Sequence, residues 1–358
     1  MWSDQTLVGA GRAADDGRVP PPPQVVVYGA YGHTGRFVTT ELHRRGLVPV
    51  PAGRDPQRLA ALAAEHPGPA PRVAAVDDPA ALDAAVSGAA AVVNCAGPFV
   101  DTGPAVAAAA VRAGAHYLDV AAEQAAVQAV HRALADDARA AGVAVVPGTA
   151  FFGGLADLLA TAALGDSGTA DEITVAYALD RWWPTAGTRN TGRRNTAARL
   201  VVTGGRLTPL EQPPPTRTWE FPGPFGPQPV VENPFSEVVL LAAHLRATTI
   251  RTHLNRAPLD DLHDPATPGP RAVDASGRSA QRFVVDVVVR TGSRERRIAV
   301  AGRDVYAATA PIVVEAVVRL LDGRSSGTGA TTPGAAFDAG DVLDALAPEP
   351  LTVLRREV

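Results

Sequence analysis

The sequence contains no lysine, so all 33 of its Lys and Arg residues are arginine. This absence excludes Schiff-base chemistry, the lysine of a phosphate-binding P-loop, the Tyr-x-x-x-Lys pair of short-chain dehydrogenases and a lysine general acid or base. Arginine replaces lysine as a charge but not as a titrating group, because it does not deprotonate usefully. A proton donor in this protein must therefore be a tyrosine, a histidine, an acid or water.

Other scarcities narrow the class of protein further. The single cysteine, Cys95, excludes intrachain disulfides and cysteine-rich metal sites. A formal charge of −4 gives no general attraction to nucleic acid or anionic membranes. No apolar run approaches the roughly 20 residues that span a bilayer, and residues 1–23 lack the apolar core of a signal peptide. We expect a disordered tail at 1–23, a cytoplasmic location, and no metal, nucleic-acid or membrane partner.

Residues 24–150 alternate between short apolar runs and alanine-rich stretches. Gln24 to Tyr28 (QVVVY) is typical of a strand that is buried on both faces. Asp55-Pro56 and Asp78-Pro79 each combine an N-cap residue with a proline at the first helical position. Strand and helix alternation predicts an α/β fold with a doubly wound parallel sheet, that is, a Rossmann domain over residues 24–150.

The pattern changes after Pro147. Residues 172–180 and 282–290 alternate between apolar and polar side chains, and Thr291-Gly292-Ser293 predicts a hairpin turn into residues 294–301. This period of two is typical of an antiparallel sheet with one covered face. The sequence therefore predicts a second, α+β domain, followed by a helix over about 306–322.

Three glycines separate the first predicted strand from a helix, in the segment VVVYGAYGHTGR of residues 25–36. Gly29, Gly32 and Gly35 permit a tight turn and let backbone N–H groups approach a pyrophosphate at the positive end of the helix. The strand–turn–helix setting predicts a dinucleotide site. Further candidate contacts in this turn are Tyr31, His33, Thr34 and Arg36.

The end of the second predicted strand indicates which dinucleotide binds. An NAD site requires an acid there for the ribose hydroxyls, whereas this chain has Ala52-Gly53-Arg54. A guanidinium suits a 2′-phosphate, so Arg54 predicts NADP(H). Asp77, after the third strand, either faces the adenine or begins a helix. The fourth strand adds the candidate cofactor contacts Cys95, Ala96, Gly97 and Pro98, where Cys95 is interpreted as a packing residue and not as a nucleophile.

Residues 180–206 contain six arginines and one acid, and they include the adjacent pair Trp182-Trp183. The tryptophans indicate a pocket wall, and the positive charge suits a carboxylate, a phosphate or a carrier-bound substrate. A solvated helix face is the alternative explanation of the charge. The candidate catalytic residues are Asp180, Arg189 and Tyr177, although Tyr177 lies on the apolar face of its predicted strand and also fits the core.

Several segments together resemble the saccharopine dehydrogenase-like oxidoreductases, a family that includes trans-acting enoyl reductases and opine-type C–N dehydrogenases. They are GAYGHTGR (29–36), AGRDPQRL (52–59), NCAGPFVDTGPAVAAAAVRAGAHYLDVAAE (94–123), VVPGTAFFGGLADLL (145–159) and GRDVYAATAPIVVEAVVRLLDG (302–323). The resemblance implies an α+β domain inserted at 151–302 and a last helix, within 303–358, that returns to the Rossmann domain. It also implies NADP(H) or NAD(H) at the glycine turn, with residues 119–123 and 149–154 at the nicotinamide end.

We predict an NADPH-dependent reductase of a C=N or conjugated C=C bond in a small anionic metabolite, because neither reduction demands a lysine. Glu123 is a candidate contact of the nicotinamide amide, or else it caps a helix. The alternatives are an opine-type dehydrogenase that joins an amine to a keto acid, and a regulator that binds NADP without turnover. The expected partners are a small-molecule substrate, free or carrier-bound, and a second copy in a homodimer.

Overall fold

A computed structural model describes residues 22–65 and 68–357, so nearly all of the predicted tail at 1–23 lies outside the described residues. The described chain forms a seven-stranded and a nine-stranded sheet. The first sheet has the strands β1 (Gln24–Tyr28), β2 (Val48–Gly53), β3 (Arg72–Val73), β4 (Ala91–Asn94), β5 (His116–Asp119), β6 (Ala144–Val146) and β15 (Gly329–Ala330). Its helices are α1 (His33–Arg44), α2 (Pro56–Glu65), α3 (Pro79–Val86), α4 (Phe99–Arg112) and α5 (Gln124–Ala140).

The first sheet is parallel throughout, in the order β15-β6-β5-β4-β1-β2-β3. β1 lies inside the sheet between β4 and β2, and its valines at 25, 26 and 27 are fully buried. The predicted cap of α3 is present, because Asp78 Oδ1 accepts a hydrogen bond from Ala81 N at 3.0 Å. The α/β, doubly wound fold class predicted from the sequence is confirmed.

The second sheet consists of β7 (Thr169–Leu179), β8 (Leu200–Thr203), β9 (Arg206–Pro209), β10 (Thr216–Phe221), β11 (Gly226–Glu232), β12 (Arg246–Asn255), β13 (Arg282–Thr291), β14 (Arg294–Arg303) and β16 (Thr352–Glu357). The helices around it are α6 (Gly154–Leu164), which ends in a 3-10 turn (Gly165–Ser167), α7 (Ala186–Arg194), α8 (Glu237–His244) and α9 (Arg256–His263). The predicted hairpin is β13–β14.

The second sheet is mixed and not purely antiparallel as expected. β7 and β12 pair in parallel, with Ile250 beside Ile173 and His253 beside Ala176. The long connection between them ends in α8, and a crossover that includes a helix is the connection that parallel pairing requires. The apolar face predicted for β7 is buried, since Ile173, Val175 and Leu179 have no exposed surface.

The C-terminal segment contributes to both domains. α10 (Val305–Leu321) packs on α1 of the first domain, and it is followed by α11 (Pro333–Ala336) and α12 (Ala339–Leu346). β15 extends the first sheet beside β6, whereas β16 pairs with β14 of the second sheet. The two-residue and terminal strands have no pattern in the sequence long enough to predict them.

Within the described ranges, no helix combines the length and apolar character that a membrane crossing needs. The same residues include no group of three His, Cys, Asp or Glu side chains arranged to hold a metal ion. The cytoplasmic location and the homodimer expected from the sequence stay predictions.

A buried ion network holds α10 in place. Arg319, whose side chain is 2% exposed, donates from Nε to Glu315 Oε1 at 2.9 Å and from Nη1 to Asp341 Oδ2 at 2.6 Å. Glu315 Oε2 accepts in turn from Arg45 Nη1 at 2.7 Å. The network therefore joins α1, α10 and α12, and the loss of one member leaves a buried charge with fewer partners.

Replacing Arg319 tests this network. Arg319→Met should lower the free energy of unfolding by about 3 kcal/mol, because Glu315 would keep a buried charge with Arg45 alone. Urea unfolding followed by circular dichroism measures the change. Arg139→Met is the control, since Arg139 forms a surface i,i+3 pair with Asp136 and should contribute about 0.5 kcal/mol or less. Equal unfolding midpoints for the two variants would contradict the role assigned to Arg319.

Candidate active site

A cavity of about 750 Å³ lies where the carboxyl ends of the first sheet meet the second domain. This edge of an open parallel sheet is where ligands bind in doubly wound folds. From the first domain the cavity is lined by Gly29, Tyr31, Gly32, His33, Thr34, Arg54, Arg58, Cys95, Ala96, Gly97 and Glu123. From the second domain and the C-terminal helix it is lined by Phe152, Trp182, Thr188, Asn190, Asn195, Arg199, Phe235, Tyr306 and Thr309, among others.

The glycine turn is packed too tightly to admit side chains. Gly29 has φ of +81°, and a Cβ there would lie 2.9 Å from Ala96 Cβ. A Cβ on Gly35 would lie 2.3 Å from Gly29 O. Gly32 is the N-cap of α1 and has no side chain that could cap the helix, so the first-turn N–H groups are left for an anion. The turn therefore presents unbonded backbone N–H groups of the kind that bind a pyrophosphate.

Two arginines line the cavity where β2 ends. Arg54 follows the last residue of β2, and the Arg58 guanidinium lies 4.3 Å from the centroid of the Tyr31 ring. Neither side chain is buried, so both guanidinium groups are available to a phosphate. We propose Arg54 and Arg58 as the residues that hold the 2′-phosphate of NADP(H).

Buried polar residues hold the turn after β4. Asn94 Oδ1 accepts from Ala96 N at 2.9 Å, and Asn94 Nδ2 donates to Thr102 Oγ1 at 3.1 Å. Asp119, at the end of β5, accepts from Gly148 N at 2.7 Å and from the Tyr117 hydroxyl at 2.9 Å. These bonds account for Asp119 as a buried structural carboxyl. Burial raises the pKa of the Cys95 thiol, so Cys95 does not supply a thiolate to the cavity.

Glu123 is the acidic side chain that reaches the cavity from the first domain. Its carboxyl accepts hydrogen bonds from Phe99 N and Ala122 N, each at 3.1 Å, and the residue is 2% exposed. Burial raises its pKa to about 7, against the lowering effect of those two N–H groups. Glu123 is the N-cap residue of α5 but makes no side-chain cap bond, so the predicted capping alternative does not describe it.

Aromatic side chains form the opposite wall. Phe152 stacks on Phe235 with ring centroids 4.1 Å apart and lies 5.3 Å from Trp182. We call these three residues the aromatic wall. All three line the cavity and are less than 10% exposed, so they give this part of it an apolar surface. We call the part of the cavity lined by the aromatic wall and Arg199 the substrate end.

α7 covers the cavity and is tied to both domains. The Tyr306 hydroxyl contacts Thr188 Oγ1 at 2.9 Å and accepts from Trp182 Nε1 at 3.0 Å. On the other side, Arg194 pairs with Asp101 of α4 at 2.9 Å. These contacts fix α7 at the edge of the cavity that its residues line.

The three predicted catalytic residues do not line the cavity. Tyr177 is fully buried in the aromatic core of the second domain, and its hydroxyl donates to Glu237 Oε2 at 3.4 Å. Asp180 pairs with Arg282 at 3.0 Å. Arg189 donates to the backbone carbonyls of 262, 264 and 267, which ties α7 to that loop. The contacts of all three residues stabilise the fold, and none of the three side chains faces the cavity.

Four of the predicted cofactor contacts also lie outside the cavity lining. Gly35 permits the close approach of α1 to the glycine turn, and Pro98 precedes α4 as its N-cap. The Arg36 guanidinium pairs with Glu65 of α2. Asp77 is exposed, and its neighbour Val76 lines the cavity in its place.

Sequence reasoning missed Tyr306, Arg199 and Phe235. Tyr306 follows Asp304, whose Oδ1 caps α10 by accepting from Tyr306 N at 3.0 Å; that Asp before a predicted helix was an available signal. Arg199 was one of six arginines in its stretch, and nothing local distinguishes it from the others. Phe235 lines the cavity beside Phe152, on which its ring stacks, and no local pattern in the sequence indicates this contact.

Comparison with known proteins supports the nucleotide site. Residues 25–146 match the saccharopine dehydrogenase NADP binding domain. A saccharopine dehydrogenase-like oxidoreductase from Rattus norvegicus is 29% identical over 155 residues, which are 38% of this chain and 36% of the rat protein. The matched region therefore spans just over a third of that relative. The resemblance predicted from the sequence and the predicted cofactor, NADP(H), are both confirmed.

A solved structure shares the fold over nearly the whole chain. Apo saccharopine dehydrogenase (L-Glu forming) from Saccharomyces cerevisiae matches with a TM-score of 0.64 and 14% identity. The match covers 94% of this chain and 99% of the yeast chain. At this identity the likeness concerns the fold, including the second domain, and not the reaction.

Removing the guanidinium groups should affect the binding of NADPH and the binding of NADH to different extents. Arg54→Ala and Arg58→Ala should each weaken NADPH binding by about 10- to 100-fold, as expected for charge-assisted hydrogen bonds to a phosphate, with little effect on NADH. Fluorescence titration with both nucleotides measures the ratio. Arg139→Ala is the control, since Arg139 is exposed on α5 away from the cavity lining. Equal losses for NADPH and NADH would contradict the 2′-phosphate assignment.

Proposed function

We propose that this chain, whose residues 25–146 match the saccharopine dehydrogenase NADP binding domain, is an NADPH-dependent oxidoreductase that reduces a C=N or conjugated C=C bond of a small anionic metabolite. One observation carries the proposal: Glu123, with a pKa of about 7, lies in the same cavity as the dinucleotide turn. Reduction of either bond consumes a hydride and a proton. NADPH supplies the hydride when bound, and the protein must supply the proton.

Glu123 is better suited to hold that proton than the other groups in the cavity. A carboxyl with a pKa near 7 is partly protonated at neutral pH, which is the condition for an efficient general acid. The Tyr306 hydroxyl is engaged by Thr188, Trp182 and Thr185 N, and burial raises its pKa. His33 is disfavoured as an acid because burial lowers its pKa. With lysine absent from the chain, Glu123 is the proton donor that we propose.

The apolar lining of the cavity suits the reduction of a reactive imine or enoyl group. The aromatic wall and residues of α7 line the cavity together with the glycine turn. An apolar site reduces the contact of such a group with water and strengthens the electrostatic effect of the few polar groups present. The chain's own contribution is thus to position the acceptor, exclude water and hold one proton at Glu123.

A substrate panel with NADPH tests the proposal. Purified protein would be mixed with NADPH and with cyclic imines, α,β-unsaturated acids and their thioesters, or mixtures of an amine and a keto acid, and loss of NADPH absorbance followed. We expect oxidation with an imine or an unsaturated compound in the absence of free amine. Oxidation only with an amine plus a keto acid would favour the opine-type reaction instead. NADPH binding without oxidation by any compound would favour the regulator.

The pH dependence of the rate tests Glu123. Because the protonated carboxyl is the active form, the rate should be constant well below the pKa of about 7, half its maximum at that pKa, and lower still as pH rises further. Glu123→Gln should lower kcat by about 100-fold or more and remove this fall, since the amide does not titrate. Steady-state kinetics from acid to alkaline pH provide the measurement.

Two observations keep this test specific. Glu123→Asp should retain a titrating group and part of the rate, because it shortens the carboxyl without removing it. NADPH affinity should be unchanged in both variants if Glu123 acts on the substrate. A Glu123→Gln variant with normal kcat and an unchanged pH profile would exclude Glu123 as the acid.

A further inference from the structure

The arginine that lines the substrate end of the cavity defines a class of substrate. We propose that the substrate is a monocarboxylate with a planar apolar body, whose carboxylate binds Arg199 and whose body packs on the aromatic wall. This inference rests on the proposed function, because it names the substrate class for the same cavity. It specifies that the small anionic metabolite has one negative charge and is otherwise apolar.

Arg199 is a half-buried cation whose donors are mostly unused by the protein. Its guanidinium has five N–H donors, and its hydrogen bond in the structure goes from Nη1 to Pro234 O at 2.9 Å. Among the described residues, no carboxylate lies within ion-pair distance of it, and the buried Glu237 carboxyl acts on its charge without a hydrogen bond. Donors of a guanidinium that remain unused at a cavity wall suit an anionic ligand.

The other arginines of the 180–206 stretch are unsuited to this role. Arg181 pairs with Asp261 at 3.2 Å, Arg194 pairs with Asp101, and Arg189 binds three backbone carbonyls. Arg193 and Arg206 are exposed and do not line the cavity. The excess positive charge seen in the sequence thus supplies a single cation to the substrate end.

Arg199 is held at the substrate end by its neighbour in the chain. Leu200 N donates to Gln124 Oε1 at 2.7 Å, and Gln124 Nε2 donates to Leu200 O at 2.9 Å. Gln124 directly follows Glu123, so this pair of bonds ties the segment that carries Arg199 to the start of α5. Arg199 and Glu123 line the same cavity.

The surroundings of Arg199 favour one negative charge over two. Its guanidinium carbon lies 5.7 Å from the centroid of the Phe235 ring, which belongs to the aromatic wall. Arg54 and Arg58 line the opposite end, beside Tyr31, where we place the 2′-phosphate. A second carboxylate at the substrate end would meet the apolar rings of the aromatic wall, which is unfavourable by desolvation.

Binding of three unsaturated probes tests the class. Isothermal titration would measure Kd of cinnamate, cinnamamide and glutaconate for the protein loaded with NADP+. We expect cinnamate to bind at least tenfold more tightly than cinnamamide, which lacks the charge, and than glutaconate, which has a second one. Arg199→Gln should reduce cinnamate binding to the level of cinnamamide, and Arg199→Lys should retain part of the difference because it keeps the charge but not the fork of donors.

The controls separate this role from a structural one. Arg193→Gln removes an exposed arginine of the same stretch and should leave every Kd unchanged. NADP+ affinity should be unchanged in Arg199→Gln and Arg199→Lys, which also shows that the variants are folded. Equal Kd for cinnamate and cinnamamide in the wild type, tighter binding of glutaconate than of cinnamate, or loss of NADP+ binding in both Arg199 variants would overturn the inference.

The two proposals fail in different ways. If the wild type binds cinnamate through Arg199 but oxidises NADPH with no member of the substrate panel, the carboxylate site stands and the reductase proposal is wrong. If NADPH is oxidised but binding shows no dependence on Arg199, the reductase stands and the monocarboxylate class is wrong.

Discussion

The close packing of the glycine turn against the end of β4 determines where every group of the site lies. Gly29 adopts a positive φ and leaves no room for a Cβ beside Ala96, so β1 and β4 approach each other at their carboxyl ends. The turn after β4 is held by Asn94, and it places Phe99 N where it donates to Glu123. Contacts among backbone groups and small residues thus position the first-domain side of the cavity, and the second domain supplies the facing side chains.

Burial gives the site its electrostatic character. It raises the pKa of the Glu123 carboxyl toward neutrality and lowers the pKa of the Arg199 guanidinium. Arg199 and the aromatic wall come from outside the Rossmann domain, so the second domain supplies the cation and the apolar surface of the site. The hydrogen bonds between Gln124 and Leu200 hold the segment that carries Arg199 against the start of α5. They therefore help to place the charge of Arg199 at the cavity.

Local signals in the sequence predicted the first domain well. The valines of β1, the glycine turn and the Asp-Pro helix starts each act within a few residues, and all are present as expected. The site residues of the second domain depend on packing that no local pattern encodes. Tyr177 lies within β7 and Trp182 lies three residues beyond the end of that strand, yet Tyr177 is enclosed in the core and Trp182 reaches the cavity. Arg189 donates to backbone carbonyls of residues 262–267, whereas the segment of Arg199 is bound by Gln124. Both partners are distant in the sequence, so no local pattern distinguishes the two arginines. Parallel pairing of β7 with β12 was equally inaccessible, because period two does not encode strand direction.

The absence of lysine is consistent with the proposal that one side chain binds the anion and another donates the proton. An arginine retains its charge through desolvation, so Arg199 can stay cationic against an aromatic wall where a lysine would tend to lose its proton. An arginine does not release its proton, so it cannot serve as the acid. The proton must come from a group whose pKa is raised by burial. A carboxyl responds to burial in that direction, and Glu123 is the carboxyl that combines burial with a place in the cavity. Anion binding and proton donation are thus assigned to different side chains because burial shifts the pKa of acids and bases in opposite directions.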